Sequence, residues 1–301
     1  MSDRPLRRAP TITEIARELG ISPSTVSRAF TAPRLLRPET VERVTRTAAA
    51  LGYVPNAHAR ALSTGLQHTI GVVVPDIANP FFPPLLRAAQ RRAEDLGYAV
   101  ISADSDGDPA RELRLVQRLA PQVQGLVVVG PRAPEREVAL VAQRQRVLFV
   151  NRDVSGTPRV LASAGRALRD GVAHLLTAGH RRFAYVGGPR LAWAQEERLR
   201  TVREALAGGV ERLVLVETTG GTYAEAVALG PSLAAAEVTA VVAFDDVVAH
   251  GVVDSLVAQG LDVPRDVSVL GCDDTIAVTT HPRSPASRCR SRRRGGSPST
   301  C

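Results

Sequence analysis

Residues 11–62 read TITEIARELGISPSTVSRAFTAPRLLRPETVERVTRTAAALGYVPNAHARAL. Thr11 is followed three residues later by Glu14, the spacing of a capping box. Ile12, Ile15, Ala16 and Leu19 then share one helical face, and Gly20 supplies the stop. Ser22 is an N-cap for a second helix, with Pro23 in the first turn, where its missing N–H costs nothing. Val26 and Ala29 point inward and leave Ser24, Thr25, Ser27 and Arg28 facing out. A third pattern carries Val41, Val44, Ala48 and Leu51, closed by Gly52. Helix, short glycine-containing turn, helix and supporting helix predict a helix-turn-helix. A generic three-helix bundle with a polar second helix satisfies the same periodicity.

Composition narrows the function classes. The chain of 301 residues has room for a small domain and a large one. No apolar run approaches the roughly 20 residues of a membrane span, and the basic N-terminus MSDRPLRRAP lacks the apolar core of a signal peptide. A cytoplasmic protein is therefore expected. The net charge is +8, and it is uneven: residues 1–66 and 283–301 are basic, whereas 67–282 carry an acidic excess. Phosphate contacts thus belong to the N-terminal part, although a solvated charged face gives the same sign. Every basic side chain apart from histidine is arginine, so a P-loop lysine and a Schiff-base lysine are excluded. There is no H-E-x-x-H, no G-x-S-x-G, and no G-x-G-x-x-G after a strand. The three cysteines make no disulfide frame or metal spacing. Neither an enzyme nor a cofactor is expected.

From Thr69 onward, short apolar runs alternate with amphipathic helices. The runs are 70–74, 99–103, 126–129, 147–150, 183–186, 213–216, 241–244 and 267–270. Apolar on both sides, they read as parallel strands. Stretches such as 82–96 and 164–178 read as the crossover helices. The prediction is a doubly wound α/β architecture in two subdomains, with ligands beyond the C-terminal ends of the strands.

The chain resembles the LacI/GalR family of bacterial transcription regulators. The resemblance rests on T-x-x-E-I-A at 11–16, G-I-S-x-x-T-V-S-R at 20–28 and L-G-Y-x-P-N-x-x-A-R-x-L at 51–62. It continues in IGVVVPDIANPFF at 70–82, AGHRRFAYVGGP at 178–189, FDD at 244–246 and VPRDVSVLGCDD at 263–274. It implies four regions: a helix-turn-helix headpiece over 1–55, a hinge helix and linker over 56–68, a periplasmic-binding-protein-like effector and dimerisation domain over 69–282, and a disordered basic tail over 283–301. A repressor dimer on double-stranded operator DNA, controlled by a sugar-like small molecule, is the implied function. A solute-binding protein of a sugar transport system is the rival, and the headpiece argues against it.

On this resemblance the second helix enters the major groove, with Pro23, Ser24 and Arg28 toward base edges and Thr25 and Ser27 toward phosphates. For Thr25 and Ser27 the alternative is ordinary solvated side chains. The implied DNA-binding set also includes Thr11, Ser22, Asn56, Ala59 and Arg60. Leu62 would be a wedge in the minor groove, or else an ordinary linker residue. Six residues are implied at the effector site: Phe81, Phe82, Asn151, Arg198, Asp245 and Asp273. Core packing is the other reading for the two phenylalanines, and a surface ion pair with Glu196 or Glu197 for Arg198. Arginine with carboxylates suits polyols through charge-assisted hydrogen bonds.

After Pro282 the text becomes RSPASRCRSRRRGGSPSTC, without periodicity. The family pattern predicts further strands and helices here, so the expectation is an effector domain incomplete at its C-terminus. A frameshift in the coding DNA would account for such a change of text, and a natural basic tail is the alternative reading.

Overall fold

The computed structural model describes residues 10–53 and 68–275. The chain divides between His68 and Thr69 into two compact units.

The first unit is built from three helices: α1 (Ile12–Leu19), α2 (Pro23–Thr31) and α3 (Pro38–Leu51). Thr11 and Glu14 form the capping box reciprocally: the Thr11 hydroxyl accepts from the Glu14 N–H, and the Thr11 N–H donates to Oε2 of Glu14 at 2.6 Å. Gly20 ends α1 at φ 65°. Ser22 caps α2, accepting from the Thr25 N–H at 3.2 Å. Arg37 caps α3 with no side-chain hydrogen bond, and Pro38 starts that helix. Ile15, Ala16, Val26, Ala29, Val44 and Ala48 close the core. Leu51 departs from expectation: it is 40% exposed. It lies in the last turn of α3, beyond the reach of α1 and α2, and Tyr53 packs on Phe30 instead, with ring centroids 5.6 Å apart.

The second unit holds two wholly parallel sheets. The first has strands β1 (Thr69–Val74), β2 (Ala99–Asp104), β3 (Gly125–Val129), β4 (Val147–Val150) and β5 (Arg159–Val160), in the order β2-β1-β3-β4-β5. The second has β6 (Arg182–Val186), β7 (Arg212–Val216), β8 (Ala240–Ala243) and β9 (Ser268–Leu270), in the order β7-β6-β8-β9. All eight predicted runs are strands. The two-residue β5 was not foreseen, because RV offers no apolar run. Cys272 lies two residues past the end of β9.

The inner strands β1, β3, β6 and β8 are covered on both faces, as central parallel strands require, whereas the edge strands β2 and β7 leave Ile101 and Leu215 exposed. In β1, Val72 and Val74 pack with Phe82 and Leu86, while Val73 packs on the opposite face with Val116 and Phe149. In β6, Ala184 and Val186 face Val248 and Val252, while Phe183 and Tyr185 face Leu168 and Val202. The helices Phe82–Asp95 and Gly165–Thr177 are the expected crossovers. Among the described residues, no helix is long and apolar enough to cross a membrane.

Candidate functional site

In the first unit the surface of interest is the front half of α2. Pro23, Ser24 and Arg28 are exposed, and the Arg28 guanidinium meets no carboxylate among the described residues. Behind them Val26 is fully buried and Ala29 nearly so, which fixes the helix by its apolar edge. Thr25 and Ser27 are half-buried rather than fully outward, because they flank the buried Val26. The hydroxyl of Ser22 lies 2.8 Å from that of Ser24 and 2.9 Å from that of Thr25. This small network orders the first turn, where the N–H groups and the helix dipole favour an anion. Thr11 is tied into its own cap. Asn56, Ala59, Arg60 and Leu62 lie outside the described residues.

In the second unit the strand orders decide the place. Each sheet reverses its winding once, between β1 and β3 in the first and between β6 and β8 in the second. At such a point the loops leave in opposite directions and open a crevice. The loops beyond these strands line one cavity of about 310 Å³: Asp76 and Asn79 follow β1, Arg132 follows β3, Pro189 follows β6, and Asp245 follows β8. Asn151 after β4 and Asp273 after β9 complete it.

All six sequence-predicted effector residues line this cavity. Arg198 is buried in the helix Trp193–Leu206. Its Nη2 donates to Oδ1 of Asp273 at 2.8 Å, and its Nη1 donates to the Phe244 carbonyl oxygen. The pairing with Glu196 or Glu197 considered above is not formed. The guanidinium also lies over the Phe244 ring, 4.7 Å from its centroid. That ring needs Gly188, since a Cβ there would stand 2.3 Å from it. Burial lowers the affinity of Arg198 for its proton, but Asp273, together with Cys272, Asp245 and Tyr185, more than restores it, so the residue stays cationic. Burial pushes the Asp273 carboxyl above its usual range, and Arg198 draws it only part of the way back.

Asp245 caps the helix Asp246–Ala258, with Oδ1 accepting from the Val248 N–H at 2.8 Å. Its Oδ2 accepts from Nδ2 of Asn79 at 3.0 Å, a contact joining loops from the two sheets. Burial, and next the charge of Asp273, raise its pKa from 3.8 to about 6. Phe81 and Phe82 meet edge to face at 5.2 Å. Phe82 is buried in the core beside Leu86 while still bordering the cavity, and Phe81 is half-buried. Asn151 has a structural partner as well: its Oδ1 accepts from the Ala162 N–H at 2.8 Å, and its backbone adopts φ 54°.

Several site residues were not singled out in the sequence. Asp246 is buried and accepts from the N–H groups of Cys272, Asp273 and Thr275 at 3.1, 3.1 and 2.7 Å. It therefore holds the loop that presents Asp273. Its signal was the doubled carboxylate of FDD. Asn79 sat unremarked inside the quoted stretch 70–82. Trp193, the single tryptophan of the chain, lines the cavity at the start of its helix, and Arg132 lines it after β3. Nothing in their local sequence marks either one.

Residues 11–56 match the family described as bacterial regulatory proteins, lacI family, and residues 172–291 match a periplasmic binding protein-like domain. Catabolite control protein A of Staphylococcus xylosus is 30% identical over 275 residues, covering 89% of this chain and 83% of that protein. The transcriptional regulator GalS of Salmonella typhimurium is 31% identical over 285 residues, covering 91% and 83%. A lac repressor dimer solved with operator and an anti-inducer superposes with a TM-score of 0.80 at 24% identity, covering 93% of this chain and 87% of that one. The regulator CelR in complex with cellobiose gives 0.64 at 27% identity, covering 92% and 87%. A headpiece matched by its own family, joined to a periplasmic-binding-protein-like unit and 30% identical to a relative along most of its length, places this chain in the LacI family of bacterial regulatory proteins.

Proposed function

We propose that this transcriptional regulator represses by binding a pseudo-palindromic operator as a homodimer in the cytoplasm, and that a sugar-like molecule in the second unit controls that binding. It performs no catalysis and needs no cofactor. One observation carries the DNA-binding half: Pro23, Ser24 and Arg28 stand exposed on a helix whose opposite edge is locked into a closed core. Arg28 reads a base edge, guanine being its best bidentate partner. Ser22, Thr25, Ser27 and Thr11 set register on the phosphates. Asn56, Ala59, Arg60 and Leu62 form the hinge that orders on DNA and bends it, as proposed from the sequence.

The effector half rests on the buried Arg198–Asp273 pair and the Asp245 carboxylate facing a cavity walled by Phe81 and Trp193. Fixed donors and acceptors beside flat apolar rings match the two faces of a sugar. Related proteins support the reading: one is named a ribose operon repressor, from Bacillus subtilis, and CelR was solved with cellobiose. For the effector to regulate, it must bind the DNA-competent and DNA-incompetent states unequally.

A binding selection on random duplexes followed by shift assays tests the proposal. A single palindromic consensus is expected. Arg28→Ala should cost about 1–3 kcal/mol on that site and relax the preference at one base position. Folded protein with no sequence preference over bulk genomic DNA at moderate salt would overturn the proposal.

A further inference from the structure

A second cavity, of about 570 Å³, shares Asp76, Arg132, Pro189, Gly220 and Thr222 with the first. Arg132 and Arg190 line it, and neither makes a side-chain hydrogen bond or ion pair among the described residues. Neither acid bordering the same space forms an ion pair with them among the described residues. Asp76 accepts from the Ala78 N–H at 2.8 Å, and Asp106 lies 3.9 Å from the guanidinium of Arg111. Arg132 is held in place by its backbone: its N–H and that of Ala133 donate to the two oxygens of the buried Glu112, at 2.8 and 3.2 Å. Its side chain then passes over Gly107, where a Cβ would stand 2.5 Å from Nη1. Burial lowers the pKa of Arg132, and the more distant charges of Asp76, Asp245, Glu112 and Asp104 only partly offset it. A half-buried cation without a contacting anion is an unfilled site.

We propose that the effector is an acidic sugar, whose carboxylate or phosphate docks between Arg132 and Arg190 while its ring lies in the neighbouring cavity against Arg198, Asp273 and Asp245. The proposal rests on the sugar-effector reading and specifies its chemical class. A planar guanidinium matches either anion through paired, charge-assisted hydrogen bonds. The charge of Asp76 disfavours an anion, but one of its oxygens accepts from the Ala78 N–H and it forms no ion pair with Arg132 among the described residues, whereas the anion would contact the guanidinium directly.

The full-length chain can be titrated with neutral aldoses, their aldonic and uronic acids and their terminal phosphates, reading the fluorescence of the single tryptophan, Trp193. An acidic member is expected to bind about tenfold or more tightly than its neutral parent, the factor that one added charge-assisted pair supplies. Arg132→Gln should weaken the acidic member far more than the neutral parent, and an unchanged circular dichroism spectrum shows that the variant is folded. Arg190→Gln, at an exposed position, should remove a smaller share, and Arg132→Lys should retain part of it. The acid and phosphate arms identify which anion is taken. Neutral parents binding as tightly as their acids, or Arg132→Gln weakening both alike, would overturn this inference and leave the sugar reading standing. If no sugar of any kind binds, the sugar reading falls and this inference with it.

Discussion

Asp245 shows how one buried carboxylate serves two purposes. It caps a helix with one oxygen and reaches Asn79 with the other, and burial holds its pKa near 6 instead of 3.8. An acid raised in the folded state binds its proton more tightly there than in the unfolded chain. Stability therefore falls as pH rises from about 4 to about 6 and levels off above. The shift corresponds to about 3 kcal/mol across that window. Asp245→Asn removes the ionisation and keeps one acceptor oxygen, for the Val248 N–H, while losing the one that met Asn79, so urea titrations at several pH values should show that fall reduced in the variant. An unchanged pH profile would place the titration elsewhere. The Asp273 carboxyl is raised by burial in the same direction, and it also pairs with Arg198. With both side chains under a tenth exposed, Asp273→Asn leaves the Arg198 charge buried and unpaired. A loss of about 3 kcal/mol in urea denaturation is expected, with loss of effector response. Retained response to effector in a shift assay would remove Asp273 from the site.

At the scale of elements, caps and loops do the positioning. The capping box of α1 is exposed and local, so Thr11→Ala should cost about 1 kcal/mol. In a headpiece this small that lowers the unfolding midpoint by roughly 5 °C, measurable by circular dichroism. Operator affinity should fall further than stability only if Thr11 also touches DNA. The loop after β9 is held by Asp246, whose carboxylate takes three backbone N–H groups. Asp246→Ala leaves those donors without it, at a cost of about 3 kcal/mol. Effector affinity should drop even though Asp246 itself touches no ligand. The strands themselves were legible because a parallel strand covered on both faces must be apolar throughout. The two-residue β5 was not, since it is set by pairing with β4 and by Asn151 holding Ala162.

For the whole molecule, control requires that DNA and effector bias the same equilibrium. Thermodynamic linkage makes the effect reciprocal: if effector weakens operator binding about fiftyfold, operator weakens effector binding by the same factor. Calorimetry with and without operator duplex checks this, and an effector affinity indifferent to operator would separate the two units functionally. The sequence by itself determined the headpiece, the caps of its first two helices and its inward residues other than Leu51, the order of strands and crossovers, and the choice of Arg198, Asp245 and Asp273, which line one cavity. Those features are local: periodicity, turn chemistry and motif text reside in contiguous residues. Only the tertiary structure decided the partners. That Arg198 pairs with Asp273 instead of Glu197, that Asn79 meets Asp245 across 166 positions, and that Arg132 lines both of two adjoining cavities all follow from how the two parallel sheets bring their loop ends together. No local pattern encodes such a meeting, because the contacts link residues far apart along the chain.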